Sequence, residues 1–250
     1  MLDPNGEYVK DLLVLDKSGT ETPYGLALLD SEHLLITIEG SDRVVKVNLN
    51  SGYSSVQSVI ADGNLSGTMR GIARLTGGDL VISELSNVER YSTSGSRITV
   101  GAWPKALQTT GTNIAPISSG GFIHCSTGTD VIRAYDDSGT QTATAASGIG
   151  GTTDVTGCSV GPGSKVAAAF NGTTDTIRVY SSAALSSTVF SYSNTTLLGN
   201  PQAVGFRPNG NVLAVDGTYN YLIEITSDGS YLKTIVSSAI AGPVNMLVLP

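Results

Sequence analysis

The stretch QAVGFRPNGNVLAVDGTYNYLIEI, residues 202–225, reads as three short strands cut by two tight connections. The apolar run Gln202-Ala203-Val204-Gly205-Phe206 stops at Pro208-Asn209-Gly210, where Asn and Gly suit the positive φ of a hairpin turn. Val212-Leu213-Ala214-Val215 follows and ends on Asp216-Gly217, and Tyr221-Leu222-Ile223-Glu224-Ile225 then opens a third run. Ser227-Asp228-Gly229 makes one more turn ahead of a polar fourth strand, Tyr231-Leu232-Lys233. The unit is four strands that meander antiparallel.

Four earlier segments superpose on it. They begin at Tyr24-Gly25-Leu26-Ala27, Arg70-Gly71-Ile72-Ala73, Thr112-Asn113-Ile114-Ala115 and Thr156-Gly157-Cys158-Ser159, so that the five starts lie 46, 42, 44 and 46 residues apart. First turns recur at Asp30-Ser31-Glu32, Gly77-Gly78, Gly120-Gly121 and Pro162-Gly163. Last turns recur at Asn50-Ser51-Gly52, Thr93-Ser94-Gly95 and Asp137-Ser138-Gly139, while Ser181-Ser182-Ala183 departs from the pattern. Third strands such as Val131-Ile132-Arg133-Ala134-Tyr135 alternate with period two, and the three-and-four spacing of helical repeats is absent. Four antiparallel strands repeated at this interval are the signature of a β-propeller blade. Blades are expected at about 21–62, 68–108, 111–148, 154–193 and 200–239, within one domain spanning 1–250.

The ends of the chain suggest one more blade. Asp3-Pro4-Asn5-Gly6-Glu7-Tyr8-Val9-Lys10 matches a last turn and fourth strand, and Pro243-Val244-Asn245-Met246-Leu247-Val248-Leu249-Pro250 matches a first strand. The expectation is an all-β, six-bladed propeller whose incomplete last blade joins 243–250 to 1–16; a five-bladed ring with extra terminal strands is the alternative. An excised piece of a longer protein, or an oligomer completing its ring through exposed strand edges, would leave the same pattern.

Composition narrows the function classes. The chain has 250 residues, only 14% of them charged, and a net charge of −7 from 21 acidic and 14 basic side chains. The basic residues are scattered, so nucleic acid is excluded as a partner. No apolar run is long enough for a bilayer-spanning helix, so no membrane insertion is expected, and residues 1–5 are no secretory core. Richness in Ser, Thr, Gly and Asn with little Lys points to a secreted or cell-surface protein of bacterial or viral kind, without a signal peptide in the chain given. Cys125 and Cys158 fit no zinc spacing; the register brings them near one another, and the plainer reading as two small buried hydrophobes is favoured over a bond. Of two histidines, His124 is expected in the core and His33 in water. Three triplets, at Asn64, Asn171 and Asn194, match the glycosylation acceptor pattern.

On these residues the chain resembles the NHL-repeat propellers and the senescence-marker/gluconolactonase-like group. The likeness rests on residues 208–225, a Gly turn, a strand ending in Asp, a loop with Asn and a hydrophobic strand, and runs over nearly the whole chain. The resemblance implies lactonases, lyases or non-catalytic scaffolds. Its lactonase members hold calcium in the central channel through Glu, Asn and Asp oxygens, which are hard ligands. Glu21 loosely matches the first such ligand, and Asn113 and Asn245 stand where innermost strands begin. No Asp stands at the other channel positions, so calcium is possible but a metal-free channel is preferred.

The candidate ligand face comprises Tyr24, Arg70, Asn113, Gln202 and Asn245 at the channel, with Glu39, Glu84 and Asp216 closing second strands. Thr127 and Asn171 share that last register, and the plainer role of all five is to accept backbone N–H bonds in the next turn. Trp103, Tyr219 and Tyr221 lie near loops, where they serve either recognition or the blade interfaces. No catalytic set assembles. The reading is a non-catalytic propeller presenting one loop face to a protein or carbohydrate, with a calcium-dependent lactonase as the alternative.

Overall fold

Residues 166–170 show why the strands stack. Val166, Ala168 and Phe170 face one neighbouring sheet, Ala167 and Ala169 face the other, and all five are fully buried. A strand apolar on both faces has to lie between two sheets. The computed structural model describes residues 1–3, 5, 7–9, 21–60, 68–84, 86–106, 111–127, 131–146, 154–237 and 245–249. Every sheet within it is an antiparallel meander in chain order.

Blade 1 is β1 (Thr22–Leu28), β2 (His33–Glu39), β3 (Arg43–Asn48) and β4 (Gly52–Ile60). Blade 2 is β5 (Ile72–Arg74), β6 (Leu80–Ser83) and β7 (Asn87–Tyr91), with an outer strand split into β8 (Arg97–Ile98) and β9 (Lys105–Ala106), both paired to β7. Blade 3 is β10 (Gly111–Pro116), β11 (Phe122–Ser126), β12 (Val131–Tyr135) and β13 (Gln141–Ala146). Blade 4 is β14 (Asp154–Val160), β15 (Val166–Asn171), β16 (Thr176–Tyr180) and β17 (Thr188–Tyr192). Blade 5 is β18 (Pro201–Phe206), β19 (Val212–Asp216), β20 (Tyr221–Ile225) and β21 (Tyr231–Ser237). No helix among the described residues is long and apolar enough to cross a membrane.

The core is a series of layers between successive blades. Leu35 and Ile60 meet Ile72 and Tyr91 between blades 1 and 2, and Val81 and Trp103 meet Phe122 and Tyr135 between blades 2 and 3. Ile123 and Ile132 meet Phe170 between blades 3 and 4; Ile177 and Val179 meet Phe206 and Ile223 between blades 4 and 5. Burial of such apolar area contributes about 25 cal/mol per Å² and is the main force holding the stack.

The expected six blades become five. Among the described residues the N-terminal stretch makes only one antiparallel bridge, Leu2 to Tyr8, around a turn in which Asp3 accepts the Asn5 and Glu7 N–H groups. Residues 245–249 join no sheet. The physical reason is that among the described residues neither terminal stretch has a ladder partner in the other; residues 4, 6, 10–16, 243, 244 and 250 of the expected last blade lie outside the described residues. The C-terminal segment nonetheless alternates like an innermost strand. Met246 and Val248 pack on blade 5 with Leu213 and Val215, and Leu247 packs on blade 1 with Ile36 and Val45.

Candidate functional site at the channel mouth and its loop face

The innermost strands surround a channel of two parts. A shaft of about 240 Å³ has mixed walls, apolar at Leu26, Ile72, Ile114 and Val248 and polar at Arg74 and Ser159. Above it sits a polar mouth of about 110 Å³, bounded by Tyr24, Arg70, Asn113, Thr127, Thr156, Gln202 and Asn245. The chain positions these residues through a repeated irregularity. In four blades the pairing of first and second strands slips at the same place, between Pro23 and Leu26, Gly111 and Asn113, Val155 and Gly157, and Pro201 and Ala203. A bulge leaves its extra residue out of the ladder and re-aims it. Tyr24, Thr156 and Gln202 are such residues, and all three reach the mouth.

Close approach of the strands makes this spacing possible. A Cβ on Gly71 would lie 2.6 Å from the Ile114 nitrogen of the next blade, and one on Gly157 would lie 2.7 Å from the Gln202 oxygen. Asn113 stands at the corresponding place in blade 3, and Asn245 in the C-terminal segment. Each uses its amide as a bridge. Asn113 donates to the Cys158 carbonyl at 3.3 Å and accepts its neighbour's Ile114 N–H at 2.8 Å. Asn245 donates to the Tyr24 carbonyl at 2.9 Å and accepts the Met246 N–H at 2.7 Å. Gln202 donates to Asn200 Oδ1, and the Thr156 hydroxyl to the Pro201 carbonyl.

Arg70 differs from its neighbours. Its guanidinium carbon lies 5.1 Å from the centre of the Tyr24 ring, within cation–π range, and its Nε is buried without a hydrogen-bond partner. Among the described residues no carboxylate pairs with it.

The structure brings Tyr24, Arg70, Asn113, Gln202 and Asn245 together at the mouth, as the repeat register predicts. Thr127 joins them; it was legible only as the residue ending a second strand, in register with Glu39. The predicted carboxylates sit at the same end of their sheets but not in the mouth. Asp216 is fully buried, and its two oxygens accept the N–H groups of Gly199, Asn200, Thr218 and Tyr219 at 2.7–3.0 Å. Glu84 is buried and Glu39 half-buried. Glu21 is ion-paired with Arg43 at 2.9 Å and does not border the mouth. The three oxygens that the calcium reading requires therefore do not converge, because one serves an outer ion pair and the two Asn amides already bridge backbone groups. The residues do not fit that metal.

A second opening lies at the same end of the ring, between blades 4 and 5. This groove of about 510 Å³ is walled by Thr173, Thr174 and Asp175 after β15, by Asn194 and Thr195 after β17, and by Tyr219 after β19. Burial raises the Asp175 carboxyl above the ordinary range and the Asp216 charge adds to this, while a hydrogen bond from the Gly172 N–H opposes both. The Tyr219 hydroxyl donates to the Thr195 carbonyl at 2.9 Å, and its ring stacks on Tyr221 with centroids 5.7 Å apart. Of these residues the sequence marked Tyr219 as a loop aromatic and Asn194 only as a glycosylation triplet, because the groove joins loops far apart in the repeat.

Other sequence readings resolve as follows. Cys125 on β11 and Cys158 on β14 form a disulfide across the interface of blades 3 and 4, overturning their reading as separate small hydrophobes. Trp103 is an interface residue: its ring lies 6.0 Å from Phe122 and beneath Arg90. His124 is fully buried, as expected, and burial together with the Arg133 charge pushes its pKa down to about 3. His33 is half-buried and its Nδ1 lies 2.9 Å from Asp30, so it is not simply a water-facing side chain. Of the acceptor triplets, Asn171 donates to Asn200, Asn194 is in an exposed turn, and Asn64 lies outside the described residues.

No family model and no curated protein matches the chain. Solved structures do. A chain of a nidogen/laminin complex superposes with a TM-score of 0.69 at 17% identity, covering 86% of this chain and 80% of that one. Virginiamycin B lyase from Staphylococcus aureus gives 0.70 at 15%, covering 93% and 76%. A chain of a mitotic checkpoint complex gives 0.65 at 16%, covering 96% and 75%. At such identities the likeness speaks to architecture, and with the five meandering sheets it identifies the chain as a β-propeller.

Proposed function

We propose that this chain is a non-catalytic recognition propeller that binds a protein or a carbohydrate through the face where first strands begin and second strands end. The observation that carries the reading is that both polar openings, the channel mouth and the groove at Tyr219, lie on that one face. Among the described residues the opposite end carries tight turns such as Asp136–Thr140, whose backbone bonds are met within the turn, a short 3-10 turn at Pro162–Ser164 and the Ser181–Ser187 connection. Hydroxyl and amide groups beside a tyrosine ring suit polyols, which offer both hydroxyls and apolar ring faces. Two of the similar structures come from protein complexes, which supports a protein ligand equally.

Within the propellers, the turn, strand, Asp and loop pattern of residues 208–225 supports an NHL-like membership. A disulfide at Cys125–Cys158 supports life in an oxidising, extracellular setting. Exposed Leu2, Tyr8 and Val9 support self-association near the terminal segments. No observation favours the lactonase reading.

The test is a glycan array alongside direct binding to candidate surface proteins, run with Tyr219→Ala. Binding that drops about tenfold or more on loss of this ring supports the groove as the recognition site. Turnover of a lactone, or ligand binding unaffected by changes on this face, would sink the reading.

A further inference from the structure

We infer that the channel mouth is a binding site for a carboxylate group, centred on Arg70. The chain carries a net charge of −7, yet no carboxylate borders this cavity, and its one charged wall is an arginine. Four other arginines are ion-paired, Arg43 to Glu21, Arg90 to Asp79, Arg97 to Glu89 and Arg207 to Glu224. Arg70 has only the Tyr24 ring, and its Nε is buried and unbonded. Stacking engages the face of a guanidinium and leaves its in-plane N–H groups to meet a planar anion edge-on.

The neighbouring side chains supply the same kind of donor. Asn113, Gln202 and Asn245 each spend one amide N–H, on Cys158, Asn200 and Tyr24 respectively. An amide NH2 has two, so each keeps a donor to offer. The oxygens of Asn113 and Asn245 are engaged by backbone N–H groups, so these two side chains present donors to the cavity. About 110 Å³ admits a group of a few heavy atoms, which fits a carboxylate and not a sugar ring. Below it the shaft mixes apolar walls such as Leu26, Ile72 and Val248 with polar ones such as Arg74 and Ser159, so a short side chain or small acid tail could follow the carboxylate inward.

The carboxylate could belong to a free small acid or to the end of a partner's peptide chain; the second source rests on the recognition reading above. The test follows the side-chain amide signals of Asn113, Gln202 and Asn245 by NMR while sodium acetate is titrated against sodium chloride at matched ionic strength. Saturable shifts are expected in the native protein. They should weaken roughly tenfold or more in Arg70→Met, which keeps the apolar stem, and less in Arg70→Lys, which keeps charge without the fork. A parallel titration uses an acetylated tripeptide with a free C-terminal carboxylate and its amide. Tighter binding of the free acid than of acetate assigns the site to a chain terminus; acetate binding alone assigns it to a small acid. No saturable shift, an equal response in Arg70→Met, or equal binding of the amidated peptide would overturn the inference. Failure here with glycan or protein binding intact would leave the recognition reading standing, and the reverse result would leave the carboxylate site standing alone.

Discussion

His124 shows how much one side chain can govern. It lies on β11 between blades 2 and 3, fully buried, with neither ring nitrogen hydrogen-bonded. In the unfolded chain an imidazole titrates near pH 6.5, whereas here it titrates at about 3. Between those values the unfolded chain holds the extra proton, so stability rises with pH at up to about 1.4 kcal/mol per unit and is flat above the unfolded value. His124→Leu should therefore flatten the acid limb of stability between pH 6 and 4, read by urea unfolding at each pH. An unchanged limb would exonerate this residue. The sequence made the burial legible, since residues 122–126 form an apolar run; it could not show that no partner waits for the ring. Asp216 is the opposite case. Its place before Gly217 announced a turn acceptor, and four backbone N–H groups satisfy it. Arg70 was legible as a channel residue, but its lack of an acid partner depends on where every other carboxylate goes.

At the scale of strands, β11 and β14 are joined by the Cys125–Cys158 bond, which closes a loop of 33 residues. Restricting the unfolded chain over such a loop stabilises by about 3–4 kcal/mol on the chain-entropy account. Replacing both cysteines by alanine should lower the denaturant midpoint accordingly, and a reducing agent should lower it in the native protein but not in the double variant. If reduction leaves the native protein unmoved, the two sulfurs are not bonded in solution. The repeat placed these cysteines on adjacent strands of neighbouring blades. It could not decide between bonding and packing, because both need the same proximity. The bulges that aim Tyr24, Thr156 and Gln202 were likewise hidden, as a bulge changes register without changing the apolar pattern. Trp103 sits where the outer strand of blade 2 breaks into β8 and β9, an interruption the repeat pattern did not mark.

For the whole molecule, the repeat interval revealed the architecture and nearly every strand, yet overcounted the blades. The terminal stretches carry blade-like patterns, but pattern alone does not provide a neighbouring strand to pair with. Blades 1 and 5 meet through residues 245–249, tied by the Asn245 bond to Tyr24 and by Met246, Leu247 and Val248. Among the described residues this junction is made by a segment that joins no sheet, whereas the other junctions pack two whole sheets face to face. Hydrogen exchange should therefore find the amides of β1 and β18 that border it opening before those of β11 and β15, and Asn245→Ala should widen the gap. Uniform protection around the circle would contradict this. The disulfide sits between blades 3 and 4, far around the circle from the junction. Among the described residues the circle is thus riveted by a covalent bond on one side and on the other closed by a five-residue wedge, so loosening the wedge should open the circle while the rivet holds.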